Sequence, residues 1–435
     1  MNQQLYEFIV YVLPGLVVFA CYLYLRRRKF LAATKMLQEM TEAGMLEPPS
    51  LHPVINHDRC IGSATCVRAC PEDAIGIIGG KAYLVNPAHC IGHGACLPAC
   101  PTEAIQLVFG TAKRGIDIPQ VLPNFESNVP GVYIAGELGG MGLIRKAAEQ
   151  GKQAMDSIKK NVARASGDFI DVLIVGAGPA GLAAGLGAIE HGLKYKLIEQ
   201  EDSHGGTVYH YPRNKIAMTA PVKLPIIGKV KMTEVQKEWL LQFWNDVIAK
   251  VKLEILYRQR MEGIEQCEGG FAVKTQSATY KTRSILLAIG RRGTPRKLGV
   301  PGEDSAKVVY RLIDAEQYRG KKVMVVGGGD SAVEAAIALA DQPDTDVSIS
   351  YRSDAFSRIK EKNRQMLEER KNNNKIKVML KTNIASIEES QVIMKGNPDP
   401  IKLPNDIVIV SAGGELPTAL MKSIGIMFET KHGEL

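Results

Sequence analysis

The chain has 435 residues, 45% of them hydrophobic and 23% charged, with 42 glycines and a formal net charge of +8. That length allows two to three globular domains with ample core, and the composition excludes a disordered or low-complexity protein. The positive charge is modest and spread along the chain, which does not point to a nucleic acid partner.

The first predicted element is an apolar run over residues 8–25, FIVYVLPGLVVFACYLYL, free of charge and long enough for a transmembrane helix. Arg26, Arg27, Arg28 and Lys29 follow at once. A secretory signal peptide carries its positive charge before the apolar stretch, so this order predicts an uncleaved anchor over residues 5–25. The positive-inside rule then predicts a single-pass protein of the inner (cytoplasmic) membrane, with everything after Leu25 in the cytoplasm. The basic cluster also suits anionic lipid. Residues 30–46 read as a helical stalk and residues 47–53, EPPSLHP, as a stiff linker, so that residues 26–54 lead from the anchor to the next domain.

Residues 55–108 carry a duplicated cysteine pattern. Cys60, Cys66, Cys70 and Pro71 recur as Cys90, Cys96, Cys100 and Pro101, within CIGSATCVRACPEDAI and CIGHGACLPACPTEAI. A bacterial ferredoxin run reads Cys-x2-Cys-x2-Cys-x3-Cys-Pro, with its fourth cysteine on the other cluster. The register is kept here, but the second cysteine of each run is replaced, by Ser63 and by His93. The segment resembles a two-cluster ferredoxin domain, a small α+β fold, and the resemblance implies electron transfer. Crossed ligation implies one site of Cys60, Cys66 and Cys100 with Ser63 at the vacant corner. The other takes Cys90, Cys96 and Cys70 with His93 at its corner. Three thiolates suffice for a three-iron cluster. Alternatively, His93 completes a four-iron cluster through its imidazole, as histidine replaces cysteine in Rieske centres. Ser63 is the poorer ligand, because its hydroxyl must ionise. Cysteines grouped in this way predict a reducing compartment.

Further on, residues 128–155 read NVPGVYIAGELGGMGLIRKAAEQGKQAM, a strand, a Gly136-Glu137 turn and a helix. At Asp171 an apolar strand runs into Gly176-x-Gly178-x-x-Gly181 and opens a helix, and a second strand ends at Glu199. In that context the glycines permit a tight turn, close approach of a pyrophosphate and helix–strand packing. The helix amides receive phosphate, and Glu199 has the spacing of the acid that binds ribose hydroxyls. A second unit, KKVMVVGGGDSAVEAAIALA, sets Gly327, Gly329 and Ala332 at the same three positions. Its next strand, VSISY, ends at Tyr351-Arg352 with no acid at the tip. Arg352, with Arg358 or Lys360, suits a 2′-phosphate, which favours NADPH over NADH.

Together with the connecting stretch SILLAIGRRGTPRKLGVPGED, these motifs resemble the thioredoxin-reductase-like branch of the two-dinucleotide-binding flavoproteins, over residues 113–435. The segments GGGDSAVE and PGED carry the match. The resemblance implies FAD at the first site, with Gly206 and Thr207 of the GGT turn among its contacts, and NADPH or NADH at the second. It implies two Rossmann-like α/β domains: FAD-binding over residues 113–298 and NAD(P)-binding over 299–403, with 404–435 returning to the first. Relatives of this fold are commonly dimers, so a homodimer is possible. In that family the FAD domain closes late in the chain, with Thr-x-x-Pro-Gly-Val-Phe-Ala-Ala-Gly-Asp and a helix. Here the counterpart precedes the first glycine motif. A circular permutation, with residues 113–160 as the moved closing segment, accounts for the order, since domain termini often lie close together. Glu137 then stands for the acid that hydrogen-bonds the ribityl chain.

Thioredoxin reductases carry a redox Cys-x-x-Cys after the PGE segment, and glutathione-reductase-like relatives carry two cysteines after the GGT turn. The corresponding stretches, VVYRLIDAEQY and GGTVYHYPR, have none, and Cys267 is isolated. A dithiol relay is set aside, and no catalytic nucleophile or base is assigned. His204, Tyr209 and His210 lie near the GGT turn, as packing or pocket residues. The expected function is a membrane-anchored enzyme that passes electrons between NAD(P)H, FAD and iron–sulfur clusters to a redox partner protein or membrane electron carrier. Two other classes stay open: an electron-transfer subunit or redox sensor of a membrane complex, and a flavin reductase of a small substrate such as a low-molecular-weight disulfide.

Overall fold

The computed structural model describes residues 13–42, 48, 51–90, 92–112, 115–140, 142–161, 167–211, 213, 215–219, 221–291, 294–356, 359–395, 400–415 and 417–433. Two compact units make up the chain, Met1–Arg114 with His432–Leu435, and Gly115–Lys431.

The first unit starts with the helix Leu13–Glu42. Its early turns expose Val17, Val18, Phe19, Tyr22 and Tyr24. Among the described residues no helix is long and apolar enough to cross a membrane. Residues 5–12, the start of the predicted anchor, lie outside the described set. The helix runs unbroken through the basic cluster, and its end is docked rather than a free stalk. Met40 is 1% exposed, and a Cβ added at Gly76 would stand 2.9 Å from the Cβ of Ala33. The expected linker also ends early: His52–Ile55 is already a strand, antiparallel to Ile105–Val108 with Ile55 opposite Ile105. A hairpin of Ile75–Ile78 and Lys81–Leu84 turns at Gly79 and Gly80. Cys60, Cys66 and Cys96 share the core between these pairs with Ile75, Ala82, Ala104 and Ile105.

The second unit holds one mixed sheet and one parallel sheet, besides smaller pairings. In the first, the strand Ile170–Val175 lies between Tyr195–Ile198 and Thr279–Leu287, parallel to both. Val132–Ile134 runs parallel along the far side of Thr279–Leu287, Tyr133 opposite Leu286. The strands Gly270–Thr275 and Met261–Cys267 extend this sheet in antiparallel fashion. The central strands of such a sheet are covered on both faces, which is why VLIV and ILL are continuous apolar runs rather than alternating ones. The helix Ile144–Asn161 buries Ala147, Ala148, Gly151, Ala154, Met155 and Ile158, a stripe at helical spacing. That stripe packs on the helix Pro179–Glu190, which is made mostly of Ala, Gly and Leu.

The second sheet orders Val308–Val309, Ile407–Val410, Lys322–Val326, Asp346–Tyr351 and Ile376–Leu380, all parallel. Ile407–Val410, expected within the segment returning to the first domain, thus belongs to this sheet, because its IVIV run completes the pairing of both flanking strands. The return follows it. Gly414–Glu415 pairs with Thr294–Pro295, Met421 and Ile426 enter the core beside Leu173 and Leu287, and Phe428–Lys431 pairs with Ile116–Pro119.

Candidate cofactor sites

The first glycine motif forms a tight strand-to-helix turn. Gly176 has φ +103°, and a Cβ there would lie 2.6 Å from the carbonyl oxygen of Ala288. A Cβ at Gly181 would run into the carbonyl of Gly176, so neither position admits a side chain. Gly206 comes against Gly178, which brings the GGT turn (Gly206 and Thr207, in the short helix Gly206–Val208) to the motif. Glu199 is buried at the end of its strand. Its carboxylate accepts the amide of Ala177 at 2.6 Å and that of Glu201 at 3.1 Å. Burial pushes this carboxyl above its usual range, against the pull of the amides of Ala177, Glu201 and Gln200. A carboxylate has about four acceptor positions, so lone pairs remain for ribose hydroxyls.

Gly136 and Glu137 follow the strand Val132–Ile134, and the Gly136 amide donates to Gln150 Oε1 at 2.9 Å. A Cβ at Gly136 would stand 3.0 Å from that of Ala180. Glu137 lies between two further glycines, its Oε1 3.4 Å from a Cβ added at Gly142 and its Oε2 4.0 Å from one added at Gly290. Arg291 is next to it; burial lowers the guanidinium pKa, and Glu137 and Asp117 raise it. The ends of three parallel strands thus bring Gly136–Glu137, Gly176–Gly181 and Gly290–Arg291 together, at the carboxyl edge where nucleotide-binding sheets take their ligands. Gly290 and Arg291 were not singled out from sequence. In sequence Gly290 and Arg291 belong to an ordinary GRRG stretch, and their importance comes only from their neighbours in the sheet.

Residues near the GGT turn have structural partners. His204 Nδ1 and the Tyr257 hydroxyl are 2.9 Å apart, and the Arg311 guanidinium meets the His210 ring, 2.8 Å from Nε2. Burial holds the His204 pKa down. Lys215 Nζ bonds Glu334 at 2.6 Å and Arg213 bonds Asp314 at 3.2 Å, tying this region to the second nucleotide unit.

In that second unit, Gly327 has φ +147°, Gly329 precedes the helix Asp330–Ala340, and Ala332 is fully buried under the turn. The Tyr351 ring lies against Gly328 and stacks on Phe356 with centroids 5.4 Å apart. Arg352 is exposed at the strand tip. The Lys360 amide donates to Asp330 Oδ1 at 2.8 Å, and Asn363 Nδ2 donates to the same oxygen at 2.7 Å. Arg358 lies outside the described residues.

Two cavities occupy the cysteine-rich unit. Cys60, Cys66, Cys100 and Ser63 line one, and Cys70, Cys90, Cys96 and His93 line the other. Backbone amides already point at sulfur, Ala82 to Cys60 at 3.4 Å and Ala104 to Cys100 at 3.2 Å. Burial, with Cys90 and Cys70 nearby, pushes the Cys96 thiol up to about 11. Burial likewise raises Cys66, beside Cys60 and Cys100. Among the described residues no three His, Cys, Asp or Glu close around a single metal ion. Thiolates sharing one zinc stand about 3.8 Å apart, from bonds of about 2.3 Å. A cluster instead takes one thiolate on each of several irons. Three cysteines lining each cavity, with backbone amides aimed at the sulfurs of Cys60 and Cys100, fit the second kind of group.

Paired glycine turns on parallel sheets, joined in one chain to this cysteine-rich fold, define a flavin- and iron–sulfur-dependent oxidoreductase. Residues 173–434 match the family model for pyridine nucleotide-disulphide oxidoreductases, and residues 52–101 that for 4Fe-4S dicluster domains. The chain belongs to the pyridine nucleotide-disulphide oxidoreductase family, with a 4Fe-4S dicluster domain ahead of the matched stretch; it is an FAD-dependent enzyme that uses NAD(P)H. It is 31% identical over 250 residues to a ferredoxin–NADP reductase of Streptococcus pyogenes serotype M5 (strain Manfredo), covering 56% of this chain and 73% of that one. It is 26% identical to bacilliredoxin reductase Bdr of Bacillus subtilis (strain 168), over 60% of this chain and 82% of the relative. The structure of bacillithiol disulfide reductase Bdr from Staphylococcus aureus shares the fold, at TM-score 0.53 and 24% identity over 60% of this chain and 81% of that chain.

Proposed function

We propose that this enzyme carries electrons between NADPH and its iron–sulfur clusters by way of FAD, and exchanges them with a redox partner protein or a membrane electron carrier. The observation that carries this is where the sulfur sits. The nucleotide-binding unit contains one cysteine, Cys267, exposed on an outer strand, while six cysteines surround the two cavities of the other unit. A dithiol relay has no carrier in that unit. When bound, the nicotinamide supplies a hydride, the flavin converts a two-electron donor to one-electron steps, and the clusters carry single electrons.

The chain's own residues bind and orient. Gly176, Gly178 and Gly181 admit the FAD pyrophosphate, Glu199 accepts ribose hydroxyls, Glu137 faces the ribityl chain beside Arg291, and Gly206 and Thr207 border the flavin. Gly327, Gly329 and Ala332 shape the nicotinamide dinucleotide turn, and Arg352 meets a 2′-phosphate. The three cysteines that line each cavity are its cluster ligands, Cys60, Cys66 and Cys100 at one and Cys70, Cys90 and Cys96 at the other. The strand Val132–Ile134 and the helix Ile144–Asn161 are a circularly permuted closing segment of the FAD domain; their supports are the pairing with Thr279–Leu287 and their position ahead of the family match. The exposed apolar turns of the helix Leu13–Glu42, followed by Arg26–Lys29, support attachment to the cytoplasmic face of a membrane.

Reduction of a low-molecular-weight disulfide is the second reading, favoured by the likeness to bacilliredoxin reductase. Steady-state turnover of the full chain separates the two. With Cys66→Ala and Cys96→Ala combined, NADPH still bleaches the flavin, but reduction of a one-electron protein acceptor is lost. Undiminished turnover of a small disulfide by that variant would establish the second reading instead.

A further inference from the structure

The two cluster cavities differ at one corner. His93 is half-buried in the wall of the cavity that Cys70, Cys90 and Cys96 line. Among the described residues its ring has no hydrogen-bond partner, so a ring nitrogen keeps its lone pair uncommitted. The loop that carries it bends at Gly92 and Gly94, both at positive φ. At the matching corner of the other cavity, Ser63 is exposed, and its hydroxyl is engaged with Thr65 Oγ1 at 3.0 Å. Its neighbour Ile61 is 68% exposed, so this corner faces solvent. A hydroxyl must lose a proton to serve as a strong iron donor, whereas a neutral imidazole ligates as it is.

We propose that the two sites are chemically different: His93 is the fourth protein ligand of the Cys70, Cys90 and Cys96 site, and the Cys60, Cys66 and Cys100 site leaves one corner open to a small exogenous donor. This rests on the reading that the unit binds clusters. Two consequences follow. Replacing an anionic thiolate by a neutral imidazole makes the bound cluster less negative and raises its potential, as in Rieske centres, so an electron entering the pair settles at the His93 site. At the other site the open corner takes hydroxide from solvent or a small thiolate, both compact anionic donors.

The test uses the full chain, reconstituted with iron and sulfide without air, and pulsed EPR of the reduced protein. The expected result is a strong nitrogen hyperfine coupling that changes its splitting when the protein carries nitrogen-15-labelled histidine, and that disappears in His93→Ala. In His93→Cys the iron content is kept, the coupling is lost and the midpoint potential falls. Ser63→Ala leaves iron content and both spectra unchanged. Added 2-mercaptoethanol shifts the other cluster's signal in the wild type and not in Ser63→Cys; a signal that already differs between these two proteins before any thiol is added identifies hydroxide as the resident donor. The labelled wild type needs no variant to fold. A reduced cluster without histidine coupling, or loss of iron in Ser63→Ala, overturns the proposal while leaving the cluster reading intact. A protein that takes up no iron overturns both.

Discussion

The two units of this chain are held together by different means. In the N-terminal unit the candidate ligands are themselves core: Cys60, Cys66 and Cys96 are buried among Ile75, Ala82, Ala104 and Ile105. In the nucleotide-binding unit the core is aliphatic, with Leu173, Ile174, Leu182, Leu186 and Leu197 fully buried, and it is closed by helix–helix and strand pairing rather than by sulfur. The difference teaches where metal binding is folding free energy and where it is not. Iron bound in the first unit neutralises a buried group of sulfurs. In the second unit the glycine turns sit on a frame of aliphatic packing and strand pairing.

The largest expected effect comes from taking the iron away. Chelation, or Cys66→Ala with Cys96→Ala, is expected to strip amide protection from the hairpin Ile75–Ile78 and Lys81–Leu84, while Ile170–Val175 exchanges as slowly as before. Hydrogen exchange read by mass spectrometry checks this, and equal protection in both units would break the contrast. Next in size is Gly151→Ala, aimed at the other unit. A Cβ there meets the Ala180 carbonyl of the facing helix, and overpacking of this kind costs about 1–3 kcal/mol. The melting temperature of the flavin-binding unit and its FAD content are expected to fall together, with the exchange of the hairpin unmoved.

Glu303→Gln tests the turn at Leu298 and Gly299, beside the second sheet. Burial pushes the Glu303 carboxyl up, but the amides of Leu298 and Gly299, at 2.5 and 2.7 Å, and the Tyr310 hydroxyl at 2.9 Å outweigh it and hold the group below its usual range. A depressed carboxyl contributes stability that is present above its ordinary value and lost as pH falls through the folded one. The substitution is therefore expected to cost about 1–3 kcal/mol at neutral pH. Urea denaturation at several pH values should show the gap from wild type closing below a pH of about 4.3. The smallest effect is Arg352→Ala, which leaves both cores alone. KM for NADPH is expected to rise about tenfold, equivalent to about 1.4 kcal/mol, with KM for NADH unchanged; equal rises for both would remove the 2′-phosphate role.

Much of this was legible in the sequence because the signals are local. A glycine turn states its needs within six residues, and the duplicated cysteine register states which thiols group together. What the sequence did not disclose depends on distant partners. Gly151 sits in an unremarkable QGKQ stretch, and only the approach of Ala180 makes it indispensable. Arg291 matters because the strand Thr279–Leu287 ends beside Glu137, more than a hundred residues upstream. Tyr351 read as the end of a strand, yet its ring packs on Gly328. The docked end of the first helix resembles a stalk in sequence, since Ala33 gives no periodic cue strong enough to announce the hairpin it meets.

The most direct test of the central claim is low-temperature EPR of the anaerobic, iron-loaded full chain before and after NADPH. The account predicts cluster signals that change on NADPH addition, and that fail to change when Glu199→Ala has emptied the protein of FAD. Flavin that bleaches fully with NADPH while the clusters stay silent would contradict it.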